Sequence, residues 1–302
     1  MNIAATTAAN VTRVSLATGK SKDRNVTSLI FVSVLWFSLF LGVAVLAALI
    51  IDTAINGASR FDRNLIFGYE SAIRPGETGF RAGILGTIWL MFTTALLAIP
   101  IGIATALYLE EFSDRTSRLS KIIEVNLQNL AAVPSIIYGM LAAAIMGILG
   151  FNFKGIVFGG AIALGLLILP VIIISTREAL RAVPQDIRYA SLALGATTWQ
   201  TTWHQTLPSA IPGIATGTIL GLSRAVGEAA PLLMLGVATV RFDPTSIFDK
   251  ATALPLQIYS LASAPQLALQ QAASAGIILL LVMIISMNGI AIFIRNKFQR
   301  TW

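Results

Sequence analysis

Pro184-Gln185-Asp186-Ile187-Arg188-Tyr189-Ala190-Ser191-Leu192-Ala193-Leu194-Gly195-Ala196-Thr197-Thr198-Trp199-Gln200-Thr201-Thr202-Trp203-His204-Gln205-Thr206-Leu207-Pro208 lies between two strongly apolar runs of the chain. Proline suits the first position of a helix, and glycine is the natural residue just past its end. Pro184 and Gly195 therefore predict a short helix closed by a glycine cap. Trp199 and Trp203 are four apart and share one face of the helix that follows. The whole segment 177–208 predicts a helix–Gly–helix hairpin in water. Its aromatic face suits either docking of a partner protein or anchoring at the membrane surface as part of an aromatic belt.

The surroundings of this hairpin are built for a bilayer. Of 302 residues 56% are hydrophobic and 12% charged, with a mean hydropathy of +0.79. Those values describe a polytopic membrane protein and exclude a soluble domain. Apolar runs of about 20 residues, the length that crosses the hydrocarbon core, occur at six places. They are Leu29–Ile51, Ala82–Leu109, Leu127–Leu149, Ile156–Thr176, Ala210–Val240 and Ala275–Ile294. The expected fold is all-α, a bundle of six transmembrane helices forming one domain over 29–302. The fifth run is too long for one straight span, and Gly227, Pro231 and Gly236 predict a broken helix within it. The first run exceeds a signal-peptide core and has no convincing cleavage site, so it reads as retained.

Positive charge orients the chain. With both ends inside, 13 of the 21 Lys and Arg residues fall in inner segments and seven in outer ones, which is the bias of a cytoplasmic face. The net charge of +7 is thus a topology signal, and no nucleic-acid partner is implied. Residues 1–28 are polar and rich in small side chains, and read as a disordered cytoplasmic tail. Within them Thr18-Gly19-Lys20-Ser21 imitates the end of a phosphate-binding loop, but Val14 stands where its first glycine belongs. Asn10-Val11-Thr12 and Asn25-Val26-Thr27 match glycosylation sequons on the wrong side of the membrane. The chain has no cysteine and one histidine, His204. No metal cluster, cofactor motif or nucleophile–base pair is visible, so no catalytic residue is expected.

One arginine remains inside the apolar part. Arg224-Ala225-Val226-Gly227-Glu228-Ala229-Ala230-Pro231-Leu232-Leu233 places a cation and an anion four residues apart, on one face if the helix continues. A charge at bilayer depth costs about 2.5–3.5 kcal/mol on insertion scales, which makes it a functional-site candidate. The pair suits an ion-pathway element, or a permanent ion pair stitching helices together. Arg177 and Arg181, at the inner end of the fourth run, suit a basic exit vestibule as well as snorkelling to the interface. Asn126, Gln128 and Asn129 suit a polar path or interhelical bonds.

Tyr189-Ala190-Ser191, three residues, Gly195, nine residues, Gln205-Thr206-Leu207-Pro208 resembles the Glu-Ala-Ala loop of ABC importer permeases. The family pattern ends in Ile-x-Leu-Pro. Ala190, Gly195, Leu207 and Pro208 match it, while Tyr189, Ser191 and Gln205 depart from it. Four further stretches resemble the phosphate-permease branch of that family. Pro134-Ser135-Ile136-Ile137-Tyr138-Gly139 is similar to its Pro-Ser-Ile-Val-Tyr-Gly segment. The Arg224 run is similar to Arg-Ala-x-Gly-Glu-Thr-Ala-Pro-Leu-Leu, with Ala229 in place of Thr. Ala253-Leu254-Pro255-Leu256-Gln257-Ile258-Tyr259 is similar to an outer-loop signature, and the basic ending Ile294–Trp302 to the subunit's terminus.

The resemblance implies a type I ABC importer permease whose coupling helix, with Tyr189, Ala190, Ser191, Gly195, Trp199, Leu207 and Pro208, docks on a separate ATP-binding subunit. It implies two copies of that subunit, a second homologous permease, an external phosphate-binding protein and the bacterial inner membrane. Arg224, Glu228 and Arg177 are the expected substrate-pathway residues. Arginine fits, because its planar fork matches phosphate oxygens and stays charged. A related oxyanion such as sulfate or phosphonate, a stand-alone secondary transporter, and a scaffold in a phosphate-sensing complex are the competing expectations.

Overall fold

A computed structural model describes residues 26–113, 117–151 and 155–298. Residues 1–25 of the expected tail, with the loop imitation and the Asn10 sequon, and residues 299–302 of the basic ending lie outside the described residues. Twelve α-helices occur among the described residues, and the chain forms two compact units divided after Asp52. The first unit holds most of α1 (Val26–Gly57), an apolar helix with exposed side chains. It takes in the expected first span, and the last three residues of the expected tail are already helical.

The second unit carries the remaining elements. They are α2 (Arg63–Phe67), α3 (Arg81–Leu107), α4 (Arg118–Ala131), α5 (Ser135–Ile148) and α6 (Val157–Arg181). There follow α7 (Gln185–Ala193), α8 (Thr198–Thr201), α9 (Leu207–Val226), α10 (Ala230–Leu235), α11 (Leu254–Ala262) and α12 (Leu267–Phe298). Tyr108–Phe112 extends α3 as a π-helical turn, and Thr202–Thr206 is a second such turn leading into α9.

Among the described residues four helices are long and apolar enough to cross a membrane: α1, α3 with its π turn, α6 and α12. They cover the first, second, fourth and sixth expected spans. The other two expected spans are broken. Leu127–Leu149 is not one straight element, because α4 and α5 meet at 112° around residues 132–134. Proline lacks a donor and disfavours helix at the residue before it, so Val133-Pro134 ends one helix and Pro134 caps the next. The fifth span breaks at the residues that predicted it. α9 stops at Val226 with Gly227 as its cap, Pro231 lies in the first turn of α10, and Gly236 closes α10 at φ +81°.

α6 is the central helix, packed along α3, α5 and α9. Leu90, Tyr138, Leu164, Ile168, Val226, Leu232 and Leu256 draw these elements and the 251–256 segment into one buried cluster. Small residues set the approach of α9. A Cβ at Gly217 would lie 2.0 Å from Ser175 Oγ, and one at Gly213 2.6 Å from Ala179 Cβ. With Gly221 beside Ile172 and Ile168, this fixes α9 antiparallel to α6.

The segments around residues 60–81 and 241–257 are held by polar contacts. Arg81 Nε and Nη2 donate to Asp243 Oδ2 at 2.9 and 2.7 Å, and buried Arg60 donates to the Pro75 and Thr78 carbonyls. Burial pushes the Glu70 carboxyl above its ordinary range, against the opposing pull of Arg241 and of the Gln257 amide. The folded state then holds the Glu70 proton more tightly than the unfolded state does. Its contribution is most favourable at low pH and is lost as pH rises through the raised folded value. Glu70→Gln is expected to raise the melting temperature by about 2 °C at pH 8 and not at pH 4. Thermal unfolding of the detergent-solubilised chain at the two pH values checks this, and an equal shift at both would refute it.

Candidate functional site

Arg224 stands in the last turn of α9, where a cation is favoured by the helix dipole. Glu228 is not on the same helix, since α9 ends at Val226 with Gly227 as its cap. It lies in the break between α9 and α10, with its N–H bonded to the Ala225 carbonyl. The two side chains still meet, with Arg224 Nε 3.8 Å from Glu228 Oε1. A tight charge-assisted bond is about 1 Å shorter. Arg224 is 49% and Glu228 24% exposed in their side chains. The pair is loose and open on one side.

The Arg224 run and the Pro134–Gly139 segment come together. Gly139, in the first turns of α5, has its backbone against Pro231, such that a Cβ there would lie 2.2 Å from the Pro231 carbonyl oxygen. Tyr138, 3% exposed, donates its hydroxyl to the Leu130 carbonyl across the α4–α5 break, and lies within the electrostatic reach of Arg224. The two broken spans therefore pack together through α5 and α10. Ser223, beside Arg224 in sequence, is hydrogen-bonded to the side-chain amide of Asn288 on α12. Two turns along, Arg295 Nη1 donates to Thr216 Oγ1 at 2.9 Å. Neither tie was visible in the sequence, since the partners are 65 and 79 residues apart.

Arg177 is placed elsewhere. The α6–α9 register sets it level with residues 213–217, about 14 Å along α9 from Arg224 at 1.5 Å per residue. It is 13% exposed and lies 3.4 Å from Glu110 and 3.3 Å from Glu124. Arg181 Nε meets both Glu110 oxygens at 3.1 Å. These residues make a compact ion-pair cluster: two arginines with a carboxylate from the α3 extension and another from α4. Asn126 donates to its own helix at Ile122 rather than to a neighbour.

The 177–208 segment is the hairpin that Pro184 and Gly195 predicted. Pro184 is the cap of α7 rather than its first residue. Gly195 has φ +86°, the left-handed region that glycine enters without strain. The N–H groups of Gly195 and Ala196 return to the Leu192 and Ser191 carbonyls, the double bond of a Schellman cap. Thr197 and Gln200 form a capping box that starts α8. Ser191, one of the departures from the family pattern, bonds Thr201 at 2.9 Å and ties the two arms together. The Trp199 and Trp203 rings meet edge to face at 5.4 Å, and Trp199 lies 5.8 Å from Phe112. α7 buries none of its residues, and Tyr189, Leu194 and Trp199 are exposed. Ala190, Leu194 and Ser209 line a groove of about 420 Å³ beside them, near the Leu207-Pro208 start of α9.

Among the described residues no group of three or more His, Cys, Asp or Glu side chains is placed to hold a metal ion. Residues 98–300 match the model of the binding-protein-dependent transport system inner membrane component family. The chain belongs to this family. The permease is 32% identical to the probable ABC transporter permease protein YqgI of Bacillus subtilis (strain 168), over 72% of this chain and 73% of the relative. It is likewise 32% identical to the phosphate transport system permease protein PstA of Xylella fastidiosa (strain Temecula1), over 74% and 77%. Its fold matches the bacterial alginate ABC transporter in complex with a periplasmic protein bound to alginate pentasaccharide, at a TM-score of 0.63 and 18% identity, over 91% of this chain and 95% of that one. The permease thus has the type I importer fold, with the Pro134–Gly139 and Arg224–Leu233 stretches packed together and Tyr189–Pro208 in the hairpin.

Proposed function

We propose that this permease forms half of the translocation pathway of an ATP-driven, high-affinity phosphate importer, with Arg224 contacting the anion in transit. Glu228 holds the guanidinium while the pathway is closed and, by like-charge repulsion, discourages a resident anion. The observation that carries the reading is the loose, half-exposed Arg224–Glu228 pair, set where two broken spans meet. Irregular backbone at membrane depth is tolerated where it is buried in protein or lines a wet cavity. Phosphate carries between one and two negative charges near neutral pH, and a fixed fork of donors suits it. The similarity to phosphate permeases supports that choice over sulfate or phosphonate. Arg177, held by Glu110 and Glu124, enters as a fixed charge near the inner end.

ATP hydrolysis falls to a separate subunit in two copies, docked on residues 185–208. A second, related permease supplies the other half of the pathway, and an external phosphate-binding protein delivers the ion. The termini face the cytoplasm across the inner membrane, in keeping with the Lys and Arg bias. The test is uptake of radiolabelled phosphate at low micromolar concentration by cells that lack their own permease subunit and express this chain. Uptake that needs ATP and ignores excess sulfate is the expected result. Uptake that survives ATP depletion would favour a secondary transporter, and competition by sulfate would reassign the substrate.

A further inference from the structure

Three successive residues of the π turn that ends α3 reach three different cytoplasmic elements. Glu110 meets Arg177 and Arg181 of α6. Glu111 Oε1 accepts from Arg188 Nη2 of α7 at 2.8 Å. Phe112 meets Trp199 of α8 with the rings tilted at 44° and their centroids 5.8 Å apart. We propose that this turn is a strut through which movement of the hairpin is passed to α3, and that Glu111 and Arg188 are the positioning residues that make it rigid. The proposal rests on the reading of residues 185–208 as the ATPase-docking hairpin.

α7 buries no residue, so hydrophobic burial does not clamp it to the membrane domain. Ile187 adds a partly buried contact with the Leu107, Leu180 and Val183 cluster. Arg188 does more, because its Nη2 also donates to the Leu180 carbonyl at 2.8 Å. One guanidinium therefore joins α7, the last turn of α6 and the α3 extension. Its side chain is 12% exposed and that of Glu111 9%, so water screens the pair little. The two ends of the hairpin are already joined by the chain to α6 and α9. Glu111 adds a charged tie from α3, beside the apolar contacts of Ile187 with the Leu107 cluster and of Phe112 with Trp199. π turns are rare and concentrate at functional sites, and here the turn directs consecutive side chains to α6, α7 and α8.

The experiment uses the complete importer in proteoliposomes, with both permeases, the ATPase and the binding protein, and reads phosphate moved per ATP hydrolysed. Glu111→Gln and Arg188→Gln are each expected to lower that ratio about tenfold, the size of a typical coupling term, while the complex stays assembled and ATP hydrolysis persists. The double variant is expected to lose no more than either single one, because the pair acts as a unit. An unchanged ratio, additive losses, or failure of the variants to assemble would each overturn the proposal. The last outcome would make the pair a brace for the fold. Leu194→Asp, run alongside, tests the docking reading separately. If it leaves the ATPase bound, docking at this hairpin is wrong. If it releases the ATPase while Glu111→Gln stays fully coupled, the strut alone fails. If the unaltered complex moves no phosphate, the transport reading falls first and the strut with it.

Discussion

Arg224→Gln is expected to lower ATP-dependent phosphate uptake about a hundredfold or more, with the complex intact and basal ATP hydrolysis retained. One hydrogen bond to a charged group is worth about 1.5–3 kcal/mol, and a fork offers two. Every 1.36 kcal/mol lost from transition-state stabilisation costs a factor of ten in rate, so a hundredfold loss needs only part of what the guanidinium offers a passing anion. The substitution also leaves Glu228 without its cation, and a lone carboxylate in the pathway repels phosphate. Arg224→Lys is expected to fall between, since lysine keeps the charge and loses the planar fork.

The competing role for this pair is a permanent stitch. Its geometry argues otherwise, because a 3.8 Å separation and a half-exposed guanidinium give little to hold helices with. The double variant Arg224→Gln/Glu228→Gln separates the two. Breaking one member of a structural pair destabilises, whereas neutralising both is often tolerated. A stitch would therefore show lost assembly in the single variant and recovery in the double one. A transit residue would show normal assembly and dead transport in both, read from the yield of complex and from uptake.

The break at residues 227–236 was legible because the residues that cause it act locally: glycine at 227 and 236, and proline at 231. The 112° turn at Pro134 was not. A hydropathy window merges Leu127–Leu149 into one apolar run, and it gives no weight to Val133-Pro134, which disfavours helix. The polar residues of α4, Lys121, Glu124, Asn126 and Gln128, were the available sign that an amphipathic helix precedes the apolar one. Arg224 was legible because a charge among apolar residues stands out. Glu110, Glu111 and Glu124 were not, since they sit near the ends of apolar runs, where carboxylates are ordinary. Their partners lie 53 to 77 residues away, and sequence spacing carries no information about pairing across helices. Asn288 escaped for the same reason.

The hairpin bears the second large effect, and Leu194→Asp is expected to weaken binding of the ATPase subunit about a hundredfold. Leu194 caps α7 and is 90% exposed. An apolar side chain so open gives the isolated permease nothing, so an aspartate there leaves the fold unchanged. The same position lines the groove of about 420 Å³ with Ala190 and Ser209, on the face proposed to dock the ATPase. A buried, unpaired charge in an interface costs about 2–5 kcal/mol, against a fold that loses nothing. Co-purification of the ATPase with the solubilised permease, followed by titration of the purified subunit, measures the loss. If Trp199 and Trp203 instead anchor the loop in the membrane surface, Leu194→Asp leaves the ATPase affinity unchanged. Trp199→Ala would then weaken the loop's hold on lipid alone. The contact of Trp199 with Phe112 makes the docking outcome the expected one, because a ring committed to the end of α3 is positioned by protein and has less freedom to sink into headgroups.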